Sequence, residues 1–184
     1  MALDKREQLV EQAFRLFYRQ GVYAVGINKV LDESGIAKKT LYNHFASKEA
    51  LVAATVSYRD SLFRQWLFGR MDAVAAGKPA LMEAFMALDD WFNGRVAVMP
   101  EFHGCYFINV SAEFSDLKHP IHQQCAEHKQ AILEKIREQV VLAGGDESVA
   151  NHVALLKEGA IVQAYVGGDL QSALKARRLL DQLL

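Results

Sequence analysis

Residues 27–48 read INKVLDESGIAKKTLYNHFASK, and this stretch decides how the rest of the chain is understood. Ile27, Val30 and Leu31 recur at helical spacing, and Ser34-Gly35 interrupts them. Glycine tolerates the left-handed backbone of a sharp turn because it has no Cβ to clash. Ile36 is placed to plug the angle. Lys38 to Phe45 then forms a second helix with Leu41 and Phe45 inward at i and i+4, leaving Lys38, Lys39, Thr40, Asn43 and His44 outward. Two helices joined by a short glycine-containing turn are a helix-turn-helix. Ser47 caps a following helix that opens with Lys48 and Glu49.

Outward from this stretch the pattern stays helical. Residues 4–20 form an amphipathic helix with Leu9, Val10, Ala13, Phe14 and Phe17 on one side, Asp4 as N-cap and Gly21 as stop. The helix from Lys48 is expected to reach about Phe68. Gly77-Lys78-Pro79 breaks the chain, and Ala80 to Val98 reads as one helix ended by Met99-Pro100. Gly104 to Leu117 reads as a buried helix. A long helix follows from Pro120 to Ala143, stopped by Gly144-Gly145. Asp146 caps a helix over about 147–166, and Gly167-Gly168-Asp169 breaks it and caps the last one. The fold class is all-α, with no strand expected.

Composition narrows the function. Half of the 184 residues are hydrophobic and the net charge is -1, but the charge is unevenly distributed. Residues 1–50 hold eight Lys/Arg and six Asp/Glu, against thirteen and sixteen in the remainder. A nucleic-acid binder needs a basic patch, not a basic protein. Cys105 and Cys125 make no CxxC spacing and no disulfide framework, which fits a reducing cytoplasm. The charged N-terminus carries no apolar signal segment, and no apolar run approaches the ~20 residues of a membrane span. GxSxG, P-loop and GxGxxG signatures are missing, so no enzyme is expected. His119, His122, Cys125 and His128 invite a metal reading. On a helix the last three fan across about 120°, a loose geometry for one ion, and neither metal nor cofactor is expected.

Residues 9–56 resemble the DNA-binding head of TetR-family transcriptional regulators. The likeness is carried by the aromatic first helix, Gly35-Ile36, Thr40-Leu41-Tyr42-Asn43-His44-Phe45 and Ser47-Lys48-Glu49-Ala50-Leu51. Gly104-Cys105-Tyr106-Phe107-Ile108-Asn109 also resembles the sixth helix of one branch. The resemblance implies nine helices, with a DNA-binding domain over 1–47 and an effector and dimerisation body over 48–184. It also implies a ligand pocket and a homodimer built on the last two helices. Gly26 stands where many members place Ser or Thr, Lys39 where a small residue is common, and Asn43 where an aromatic or His is frequent.

On this reading Lys38, Lys39 and Lys48 meet phosphates, and Tyr42 reaches one through its hydroxyl. Thr40, Asn43 and His44 reach base edges; Asn28 is either a contact or plain solvent-exposed polarity. Trp66, Phe85, Trp91 and Phe107 would line a pocket for a small apolar or amphipathic effector, with Asn109, His128 and Gln163 as polar anchors. Val149, Val153, Leu156, Ala160 and Ala164 make one stripe near the C-terminus, and Ala173, Leu174, Leu180 and Leu183 make another. Dimerisation and intrachain packing both account for such stripes. The expected partners are a palindromic double-stranded operator, a second copy of the chain and an unidentified effector, with no membrane. A helical small-molecule binder or enzyme whose head has lost DNA recognition is the alternative, and a DNA-organising protein without an effector is a third.

Overall fold

The computed structural model describes residues 4–184. Residues 1–3, which open the expected head domain and charged N-terminus, lie outside the described residues. Nine helices and no strand occur among the described residues: α1 Lys5–Gln20, α2 Ile27–Ser34, α3 Lys38–His44, α4 Lys48–Asp72, α5 Lys78–Phe92, α6 Tyr106–Glu113, α7 Pro120–Leu142, α8 Glu147–Gly167 and α9 Ser172–Leu183. They group into two compact units. The first holds the residues up to Leu62 together with Tyr106–His128; the second holds Phe63–Cys105 and Lys129–Leu184.

In the first unit, α1 starts with a capping box. The Asp4 carboxylate accepts from Glu7 N–H at 2.8 Å, and the Glu7 carboxylate accepts from Asp4 N–H at 3.0 Å. Leu9, Ala13, Phe14 and Phe17 of α1 are buried in this unit, as are Val30, Leu41, Leu51 and Val52. Each buried Leu, Val or Phe side chain contributes about 1.5–3 kcal/mol on leaving water. Phe14 meets Tyr106 edge-on at 5.1 Å, which ties α1 to α6. Arg59 is also buried here, its guanidinium lying over the rings of Phe14 and Tyr18.

In the second unit, α9 packs on α5 and on α8. The Ser172 hydroxyl donates to Ala160 C=O at 2.7 Å, and Gln139 Oε1 accepts from Gly77 N–H at 2.8 Å. Trp91 gathers Phe63, Trp66 and Phe102 into an aromatic cluster with centroid separations of 4.8–6.2 Å.

Several boundaries differ from the sequence expectation. α5 ends at Phe92 rather than Val98. Gly94 takes φ 68°, and Arg95 N–H turns back to Asp90 C=O at 2.8 Å. Arg95 also pairs with the Asp89 and Asp90 carboxylates, so the chain leaves the helix six residues early. α6 is shorter than 104–117, because Gly104 at φ 78° is a turn residue beneath Tyr165. α9 begins after Gln171, and Asp169 is not its N-cap; that carboxylate binds Lys175 at 2.6 Å instead. α4 runs four residues past Phe68 because Arg70 in its last turn is held by Glu83 and Asp90 of α5.

Candidate DNA interface and effector body

The helix-turn-helix is built as its sequence demands. α2 ends where Gly35 enters the left-handed region at φ 64°, its N–H bonding Leu31 C=O at 2.9 Å. The Ser34 hydroxyl accepts from Ile36 N–H, and Ile36 is buried. Val30 is buried, while Ile27 and Leu31 are only half-buried, because a helix of eight residues can turn one narrow stripe inward. Leu41 and Phe45 are buried beneath α3, although Phe45 is its C-cap and not part of the helix.

That anchoring exposes Lys38, Lys39, Tyr42, Asn43 and His44, with Thr40 half-buried. Asn28 is exposed near the start of α2. Six of the eight expected DNA-facing residues are therefore exposed on this unit, and Thr40 and Lys48 are half-buried. Lys48 behaves differently. It is half-buried, its ammonium donates to Val22 C=O at 2.6 Å, and it lies over the Phe17 ring at 5.9 Å. Burial lowers its pKa, opposed by the Glu113 carboxylate.

Glu113 is a residue the sequence reading left without a role. Its carboxylate accepts from Val22 N–H at 2.7 Å and from Tyr23 N–H at 2.5 Å. Ninety residues of chain separate these partners, and no local pattern announces them. Arg6, also unmarked in the sequence, lies over the Phe45 ring at 5.2 Å.

The seven expected effector residues fall in both units. Phe107 and His128 belong to the first, stacked with ring centroids 3.5 Å apart. His128 is buried and its Nδ1 lies 2.7 Å from Asp60 Oδ1. Asn109 is half-buried on α6. In the second unit, Trp66 and Trp91 belong to the aromatic cluster. Phe85 lines a small apolar cavity of about 20 Å³ with Leu81, Ile132, Ile136 and Lys157. Gln163 is exposed on α8, beside an open groove between α8 and α9, rather than at an interior anchor position.

A charged cluster in the second unit was also not foreseen. Glu158 binds Lys157 at 2.7 Å and Lys129 at 2.6 Å, and Lys129 approaches Cys105 Sγ at 3.3 Å. Burial lowers the Lys157 pKa, and Lys129 lowers it further. His122 Nδ1 lies 2.8 Å from Phe114 C=O, and His119 Nδ1 accepts from Ile121 N–H. Among the described residues, no group of three or more His, Cys, Asp or Glu could hold a metal ion. Among them, too, no helix is long and apolar enough to cross a membrane.

The stripe expected for dimerisation splits. Val153, Ala160, Ala164 and Leu180 are buried within their own chain, and Val149, Leu156 and Leu174 are half-buried. Leu183 of the second stripe is uncovered, as are Leu155, Val162, Val166 and Leu179 beside the stripes. Of these, Leu155, Leu179 and Leu183 line the α8/α9 groove.

Residues 9–55 match the family described as bacterial regulatory proteins, tetR family. The chain is 28% identical over 175 residues to the HTH-type transcriptional regulator LmrA of Bacillus subtilis, covering 95% of this chain and 88% of that protein. The same helices superpose on a TetR-family transcriptional regulator from Streptomyces coelicolor with a TM-score of 0.85 and 26% identity, covering 97% of this chain and 87% of that one. The chain is a TetR-family transcriptional regulator. The HTH-type transcriptional repressor KstR2 of Mycolicibacterium smegmatis is 34% identical over 88 residues, which is 46% of this chain and 41% of that protein. Regulators of this family bind DNA and dimerise, and the helix-turn-helix described above is the element this regulator shares with them.

Proposed function

We propose that this regulator is a cytoplasmic, ligand-responsive repressor. As a homodimer it would hold a pseudo-palindromic operator and leave it when a small apolar or amphipathic effector binds. Residues 1–47 would form the DNA-binding domain and residues 48–184 the effector and dimerisation body. The observation that carries the reading is the exposed face of α3 over buried Leu41. Lys38 and Lys39 supply salt-dependent affinity through phosphates, with Tyr42 as a neutral phosphate partner. Asn43, Thr40 and His44 face base edges, where an Asn pairing with adenine is worth about 1–3 kcal/mol of discrimination. Asn28 contacts the backbone from α2. Dimerisation through the uncovered α8/α9 face would set two α3 helices about one helical turn of DNA apart. Release requires the effector to bind the free and DNA-bound states with different affinity.

One experiment tests the reading: genomic fragments are selected on the purified protein, then challenged with a metabolite panel. Retention of discrete fragments and their release by one compound are expected. Indifferent retention of all DNA would indicate an organising protein, and ligand binding without retention a binder that has lost its operator.

A further inference from the structure

The backbone of Val22 is gripped at both its N–H and its C=O by full charges of opposite sign. Its N–H donates to Glu113 Oε1 at 2.7 Å, and its C=O accepts from Lys48 Nζ at 2.6 Å. The second Glu113 oxygen takes the next N–H, that of Tyr23, at 2.5 Å. The ring of Tyr23 stacks on Phe114, one residue after Glu113, at 5.7 Å. At Gly21, φ is 86° and an added Cβ would lie 3.3 Å from the Glu113 carboxylate, so the chain approaches this group closely. All of these contacts lie within the first compact unit.

Their position gives them consequence. Residues 21–26 are the whole connection between α1 and α2, and α2 begins four residues after Tyr23. The direction in which this turn leaves α1 sets where α2 points, and α3 follows α2 through the Gly35 turn. Charge-assisted hydrogen bonds to backbone groups are among the stronger polar contacts in a protein. A carboxylate that takes two successive N–H groups also restricts rotation about φ and ψ of the residue between them, here Val22. Nothing in α1 or α2 supplies these bonds; they come from the last residue of α6 and the first residue of α4.

We propose that Glu113 and Lys48 form a charged bracket on the α1–α2 turn, and that both are positioning residues for DNA binding. Lys48 then contributes to operator affinity by holding Val22 and not by touching a phosphate. The inference rests on the DNA-binding reading above. It differs from a phosphate role for Lys48 in a measurable way. A lysine on a phosphate releases counterions and contributes about 0.9 to the slope of log affinity against log salt. A lysine that acts through the backbone leaves that slope alone.

The test uses the full-length protein and an operator fragment recovered by genomic selection, with affinity read by fluorescence anisotropy over a range of salt concentrations. The variants are Glu113→Gln, Lys48→Met and the pair together. Methionine keeps an apolar stem against Phe17 and removes the ammonium. Each single variant is expected to weaken operator binding about five- to twentyfold, the loss of one charged hydrogen-bonding partner. The double variant should be scarcely weaker than either single, because the two residues act on the backbone of one residue. The salt slope should not change. A slope reduced by about 0.9 in Lys48→Met, multiplicative losses in the double variant, or unchanged affinity in Glu113→Gln would each overturn the proposal. If Glu113→Gln does not fold, Glu113→Asp keeps the charge but cannot reach both N–H groups; it must also weaken operator binding, and unchanged affinity overturns the bracket. Wild-type protein that retains no DNA sinks the DNA-binding reading, and the bracket's role with it. Wild-type binding with unmoved variants sinks the bracket alone.

Discussion

The Tyr106 phenol oxygen lies 2.8 Å from Thr55 Oγ1, and both side chains are sealed from solvent. Thr55 spends its own proton on Val52 C=O at 2.6 Å, so the phenol must donate to the threonine oxygen. Burial pushes the Tyr106 phenol well above its ordinary range, so it stays a donor across accessible pH. Thr55→Val keeps the shape of the site but orphans that donor. It should destabilise the protein by about 1–3 kcal/mol, whereas Tyr106→Phe, which removes the orphan, should cost less. Urea unfolding monitored by circular dichroism distinguishes the two.

Glu158 makes stability depend on acid. Burial pushes its carboxyl upward, but the Lys157 and Lys129 ammoniums outweigh that and hold it at about 2, below the ordinary 4.5. A depressed acid contributes stability above its unfolded pKa and loses it as pH falls through the folded one. The contribution is therefore complete above about pH 5 and lost towards pH 2. The side chain is about one-third exposed, so solvent screening reduces the effect, and Glu158→Gln should cost about 1–2 kcal/mol at neutral pH. The gap between variant and wild type should close as unfolding is measured at progressively lower pH.

Lys39 and Asn43 are both exposed on α3 but should fail differently. Lys39→Ala should weaken specific and non-specific DNA alike and reduce the salt slope by about 0.9. Asn43→Ala should cost about 1–3 kcal/mol on the operator, leaving non-specific binding and the slope unchanged. Titrations of operator and scrambled duplexes at several salt concentrations provide the comparison.

The α8/α9 surface separates association from folding. Leu155 and Leu179 are exposed within the chain, so Leu155→Glu combined with Leu179→Glu should yield a helical monomer by light scattering. Val153 is buried, so Val153→Ala should instead lower the unfolding midpoint, at a cost of about 1–3 kcal/mol.

Gly26 caps α2 without a side-chain hydrogen bond, at φ -78° and ψ 159°, and a Cβ there would meet nothing within 4 Å. Gly26→Ser should therefore gain a hydroxyl cap and a few tenths of a kcal/mol, read as a small rise in Tm.

The reading head was legible because its determinants are local. Asp4 with Glu7, Gly35, Leu41 with Phe45, and Ser47 each act within four residues of where they stand, so spacing alone locates α1 to α4. The exposed residues of α3 follow from the burial of Leu41 and Phe45. Boundaries slipped where a cap competed with a longer pattern: the Asn93-Gly94 turn ended α5 before Met99-Pro100 could.

The all-α class, the helix-turn-helix and the residues that α3 turns outward follow from the order of residues, since helical periodicity and turn chemistry are properties of neighbouring residues. What each stripe and charge is used for depends on how the helices pack. Val153 and Leu180 were drawn inward while Leu155 and Leu179 stayed uncovered, a choice made by how α8 and α9 pack and not by their hydrophobicity. Lys48 turned to the Val22 C=O, and Glu113 reached back 91 residues to the N–H of the same residue. Charged side chains find partners by proximity in space, and spacing along the chain does not encode that proximity.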